Sequence, residues 1–210
     1  ICLGQTANLT ANVTMTPYVP NCTPPVSGTT FLPDGSGVSY TTAITVNCFN
    51  AGQTVTAASN FSNICLNIEH SYLGDLQIVL ICPNGQQMIL KSYAAGGNGT
   101  FLGNPYDGIN DATWGPGTGS TYCFTPSATT LLTAGATTAA TGPTAGTTIV
   151  PGNYMPQDPF TNLIGCPLNG AWTIQVTDNL GSDNGYIFNW DVNFTVPPAT
   201  GSFTPTIATQ

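Results

Sequence analysis

Arginine is absent from this 210-residue chain, while lysine occurs once (Lys91), histidine once (His70) and glutamate once (Glu69). Charged residues make up 5% of it, against about a quarter in an ordinary globular domain. The formal net charge is -8, which excludes a basic nucleic-acid footprint and disfavours anionic membranes, but leaves room for metal cations. No apolar run approaches the roughly 20 residues that cross a bilayer, so no membrane insertion is expected. No helical periodicity of useful length occurs. No two cysteines stand two residues apart, which removes the usual zinc spacing. No serine sits in Gly-X-Ser-X-Gly, and no glycine-rich phosphate loop follows a strand and opens a helix, so nucleotide binding has no support.

What is present is short-period alternation. Ile64, Leu66 and Ile68 alternate with Cys65, Asn67 and Glu69; Leu73-Gly74-Asp75 then turns the chain, and Leu76, Ile78 and Leu80 resume the pattern up to Pro83-Asn84-Gly85. About a hundred residues on, Trp172, Ile174 and Val176 share one face, an Asx- and Gly-rich loop follows, and Phe188, Trp190, Val192 and Phe194 share another. Each stretch reads as two antiparallel strands joined by a turn, with Trp172 and Trp190 in the core. Further strand patterns surround Val38 to Val46, Met88 to Leu90 and Tyr122 to Phe124. The chain is long enough to bury a sizeable core. The expected fold is all-β: a two-sheet antiparallel sandwich of the jelly-roll kind, with about eight to ten strands. Residues 1–25 read as an edge strand or joining segment and 26–196 as the module. Residues 197–210, opening Pro197-Pro198, read as a linker toward a next module. A start at Ile1 suggests a fragment or a mature segment.

Seven cysteines point to an oxidising compartment. Cys65 and Cys82 flank the first strand pair and are expected to bridge it, with Cys123 and Cys166 as the second pair. Cys2, Cys22 and Cys48 remain, one of them free or paired elsewhere. Buried unpaired thiols are the alternative.

A hydrolase needs a nucleophile, a base and an orienting group. His70, at a strand end, reads instead as a structural residue bonded to a turn. Glu69 with Asp75 imitates a glycosidase pair, but a cation or turn site accounts for them better. Glu69, Asp75, Asp178 and Asp183 surround the two turns almost without countercharge. A structural Ca2+ held by some of them is expected, with Asp107 and Asp111 as a second set. The alternative is aspartates accepting turn amides. In the loop of Ala94 to Gly119, Phe101, Tyr106 and Trp114 are candidates for an exposed face that stacks on a glycan or a protein, or else for anchors of their own loop.

His70-Ser71-Tyr72-Leu73-Gly74-Asp75-Leu76, Pro83-Asn84-Gly85, Gly170 to Asp178, Asp183-Asn184-Gly185 and Trp190 resemble the P domain, the jelly-roll module that follows the catalytic domain of kexin- and subtilisin-like proprotein convertases. The form is similar to that in secreted surface proteins of gliding, Bacteroidota-type bacteria. Leu73 stands where the convertase motif Arg-Gly-Asp-Leu has arginine. The resemblance implies a non-catalytic module of a secreted or cell-surface protein. Such a module serves as spacer, stabiliser or contact unit in an adhesin-type array, such as a gliding-motility adhesin, with neighbouring domains of the same polypeptide as partners. The alternatives are the accessory domain of a secreted subtilisin-like protease and a glycan-binding module.

Overall fold

The computed structural model describes residues 22–32, 35, 38–94, 99–106 and 115–199. Among the described residues eleven strands follow in chain order: β1 (Val26–Phe31), β2 (Ser39–Val46), β3 (Phe61–His70), β4 (Leu76–Ile81), β5 (Gln87–Lys91), β6 (Ser120–Phe124), β7 (Thr137–Ala139), β8 (Thr147–Ile149), β9 (Gly152–Tyr154), β10 (Gly170–Asp178) and β11 (Gly185–Phe194). The total exceeds the expected range because three three-residue strands arise in the Thr/Ala/Gly-rich stretch, where no alternation marks them. The described helical turns are only three or four residues long.

The strands form a sandwich. One sheet has the order β1-β11-β3-β6-β9, the other β2-β10-β4-β5, and β7-β8 is a small separate ribbon. Every ladder is antiparallel except β6–β9, a three-residue parallel pairing. Consecutive strands cross between the sheets at β1–β2, β2–β3, β3–β4, β5–β6, β9–β10 and β10–β11, as in a jelly roll.

The expected hairpins are corrected by this topology. β3 and β4 lie in opposite sheets, as do β10 and β11, so each stretch is an arch. The arches nest: β3 pairs with β11 through Ile68↔Ile187, and β4 pairs with β10 through Ile78↔Val176. The turn residues explain why. Leu73, Gly74 and Asp75 are all buried, whereas a hairpin turn would emerge at a sheet end into water. Leu73 itself is a core residue.

Alternation holds in β10, where Trp172, Ile174 and Val176 are buried and their neighbours are half-buried or exposed. In β11 it breaks. A bulge between Ile187 and Asn189 shifts the register, so Ile187 joins Trp190 and Val192 in the core while Phe188 leaves it. Phe61, Phe160, Trp172 and Phe194 stack at one end of the sandwich.

Three disulfides join Cys22–Cys48, Cys65–Cys123 and Cys82–Cys166. All four expected cysteines are therefore bridged, but in a different pairing. Cys65 and Cys123 are register partners on adjacent β3 and β6. Cys82 leaves β4 and Cys166 precedes β10, two strands that are themselves neighbours. A Cys65–Cys82 bridge would have needed β3 and β4 in one sheet.

Candidate functional site

Where the arches cross between sheets, alternation gives way to continuous burial: Ile68, Glu69, His70 and Ser71 are all covered. The arches are tied together by backbone. Ser71 N–H donates to Asn184 O (2.9 Å), Asn184 N–H to Ser71 Oγ (3.0 Å), and Asn179 N–H to Asp75 O (3.1 Å). Asn179 Nδ2 donates to the same Asp75 oxygen at 2.8 Å. Gly185 permits the close approach, since a Cβ there would lie 2.4 Å from His70 Cδ2 and 2.5 Å from Glu69 O.

His70 stands between them, 0% exposed. Its Nδ1 accepts the Tyr72 N–H at 3.0 Å, which leaves the proton on Nε2; that nitrogen donates to Asp178 Oδ2, also at 3.0 Å. Asp178 Oδ1 accepts the Leu180 N–H at 3.3 Å. The expectation of a structural histidine at a turn is met, with an aspartate as its second partner.

Lys91, the chain's one lysine, is also buried here. Its ammonium donates to Leu76 O at 2.6 Å and Gly74 O at 3.3 Å, the carbonyls flanking Asp75. Burial lowers its pKa from the ordinary 10.5 to about 8, against the pull of Asp75 and Asp178. Asp75 is raised, chiefly by burial and then by repulsion from Asp178, which outweigh His70, Asp183 and Lys91. Its Oδ1 is buried without a hydrogen-bond partner.

Glu69 lies on the other side of β3. Its Oε1 accepts the Gly117 N–H at 3.2 Å, and Oε2 is buried with no hydrogen bond. Burial raises its pKa from 4.5 to about 7, more than Gly117 and His70 lower it. The strand crossing beside it requires Gly103 at φ +60°, where a Cβ would meet Thr118 O at 2.5 Å.

The four expected calcium ligands thus divide. Asp75, Asp178 and Asp183 gather around His70, Ser71 and Lys91, while Glu69 faces Gly117. Among the described residues no three His, Cys, Asp or Glu side chains converge on a metal-holding geometry. Asp107, Asp111 and Trp114 lie outside the described residues. Phe101, expected at a binding face, is instead 7% exposed. Its backbone is locked to Thr147 and Ile149, making it the anchor of its own loop. Tyr106 is exposed.

Sequence reasoning missed Lys91 as a member of the cluster. The chain's only lysine side chain ends a strand whose apolar residues are Met88, Ile89 and Leu90, which marks the strand as core but not what its end lies against. Within the cluster His70, Asp75, Lys91 and Asp178 are each at most 2% exposed, as is Glu69 beside it, while Asp183 is half-buried. The arrangement locks two arches together. A cleft of about 300 Å³ lined by residues including Ala58, Pro126, Met155 and Phe160 has no acid, base or thiol in its wall.

The sequence profile of the proprotein convertase P-domain matches residues 62–115, about a quarter of the chain, covering β3, β4 and β5 and the loop beyond. No curated protein matches the chain. Among solved structures, the chain is similar to one in the crystal structure of the Aeromonas sobria serine protease in complex with its chaperone. The identity is 12% and the TM-score 0.40, over 82% of this chain and 26% of that one. The present chain therefore spans about a quarter of that chain's length.

Proposed function

We propose that this chain is a non-catalytic P-domain-like module of a secreted, cell-surface protein, serving as a stabilising and contact unit within an adhesin-type array. The observation that carries the reading is the fate of the reactive side chains. The only lysine, the only histidine and the only glutamate are all spent inside the fold, in the segment that matches the P-domain profile. Three disulfides suit an oxidising, extracellular setting. Among the described residues no helix is long and apolar enough to cross a membrane. What meets partners is a polar surface rich in Thr, Asn, Ser and Gly with a net negative charge, whose contacts are neighbouring domains of the same polypeptide and a surface glycan or protein.

Beads coated with the purified chain test the contact role. They are expected to hold to glycan- or protein-coated glass under flow longer than albumin-coated beads; equal detachment would remove the adhesin reading. Turnover of peptide or glycan substrates by the isolated chain would refute its non-catalytic character.

A second reading, the accessory domain of a subtilisin-like protease, is favoured by the family that the profile describes. It predicts that the chain, added in trans, raises the melting temperature of a subtilisin-type catalytic domain. A calcium ion bound at Asp75 belongs with either reading as a further charge partner, although the side chains of Asp75, Asp178 and Asp183 do not converge on a metal-holding geometry. The unpartnered Asp75 Oδ1 supports it, and calcium titration of thermal stability tests it.

A further inference from the structure

Three of the four sheet edges are covered, short or broken. At β5, Gln157 N–H and Asp158 N–H donate to Leu90 O (3.0 Å) and Ile89 O (2.9 Å), and Asp158 Oδ2 accepts the Ile89 N–H. β9 is three residues long and runs on into the Met155–Leu131 bridge. β1 has a register break between Ser27 and Thr30, with Gly28 at φ +143°.

Among the described residues β2 has none of these protections. It runs eight residues in unbroken register on β10, from Thr177↔Ser39 to Gly170↔Val46, without charge, proline or glycine. Among the described residues, the backbone hydrogen bonds of 39–46 go only to β10. Natural sheets blunt a long edge with lysine, proline, a bulge or brevity, and a bare edge presents alternate N–H and C=O groups to another extended backbone.

We propose that β2 is the surface through which two copies of this chain join, antiparallel about a twofold axis at Thr42, merging two four-stranded sheets into one of eight. The strand's own pattern selects a second copy as occupant. Tyr40, Thr42, Ile44 and Val46 face the sandwich interior, while Thr41, Ala43 and Thr45 are exposed. A twofold at Thr42 sets Tyr40 against the other copy's Ile44, and Thr41 against its Ala43. Inward positions then meet inward positions from Ser39 to Thr45, and Val46 falls opposite Val38 of the other copy, beyond the strand's end. A one-residue slip would oppose Tyr40 to the outward Thr45. No charge meets a like charge within the pairing, despite the net charge of -8 on each copy. Thr42 is half-buried although it faces inward, as expected at an open edge, and its hydroxyl is held by the Trp190 Nε1–H at 2.8 Å. Twofold self-contact is the commonest form of association.

Sedimentation equilibrium tests this on the full chain carrying Cys2→Ser, which rules out an intermolecular disulfide through that residue. Between roughly 10 µM and 1 mM, the range of weak edge contacts, the mass is expected to rise toward twice that of the monomer. Thr41→Lys with Ala43→Lys, both at exposed positions, is expected to keep it monomeric, and Ser27→Lys on β1 to leave the curve unchanged. Circular dichroism confirms that the variants fold. Without any variant, amide exchange within β2 is expected to slow as concentration rises. A chain that stays monomeric throughout, a β2 lysine variant that dimerises like the parent, loss of the dimer in Ser27→Lys, or concentration-independent β2 exchange would each overturn the proposal.

Discussion

Buried ionisable groups are expected to give this protein an inverted stability profile between mild acid and base. Glu69 has its pKa raised from 4.5 to about 7 in the fold. Between those values the unfolded chain has released a proton that the folded chain keeps, so stability falls as pH rises. At 1.36 kcal/mol per pKa unit the loss is about 3 kcal/mol. Asp75 and Asp191, both raised mainly by burial, add in the same direction. Lys91 works at the other end. Its pKa is lowered from 10.5 to about 8; between those values the folded amine has lost its proton while the unfolded one keeps it. Stability therefore rises again with pH, also by about 3 kcal/mol.

The expected curve has a minimum near pH 7 to 8, where most proteins lie close to their maximum. Guanidinium melts at half-unit pH steps measure it. With a slope of about 5 kcal/mol/M for a chain this size, 3 kcal/mol moves the midpoint by about 0.6 M. Glu69→Gln keeps an acceptor for Gly117 and removes the titration, so its acid limb is expected to shrink and its midpoint at pH 8 to exceed the parent's. A bell-shaped curve centred on neutrality, or an acid limb unchanged in Glu69→Gln, would refute the assignment of buried charge.

Three further outcomes follow from the same geometry. His70→Ala leaves Asp178 buried without its imidazole partner and is expected to cost about 3–5 kcal/mol, read as a fall of roughly 6–20 °C in melting temperature. Replacing both Cys82 and Cys166 by alanine opens a loop of 84 residues and is expected to cost about 4–5 kcal/mol, a midpoint shift measurable in guanidinium. If calcium serves the Asp75, Asp178 and Asp183 cluster, millimolar calcium raises the melting temperature and chelator reverses the rise; identical curves would leave Lys91 and His70 as the sole counterparts of those acids.

The β10 core residues were legible because Trp172, Ile174 and Val176 keep strict alternation from end to end. Phe188 was misplaced because one inserted residue reverses parity, and no residue type announces a bulge at Phe188-Asn189. Leu73-Gly74-Asp75 marks a change of direction, a signal that hairpin and arch share. Whether the chain then re-enters the same sheet depends on partners a hundred residues away. The cysteine pairing failed for that reason alone. The acids at Asp75, Asp178 and Asp183 were found from their spacing around two loops. Their countercharge Lys91 was not, because β5 reaches the arch only by lying beside β4. Phe101 could be placed only once its backbone was seen locked between Thr147 and Ile149.

A non-reducing digest followed by mass mapping tests the crossed-arch architecture most directly. The account predicts linked peptides containing Cys65 with Cys123, Cys82 with Cys166, and Cys22 with Cys48. A peptide linking Cys65 to Cys82 would return β3 and β4 to one sheet and contradict it.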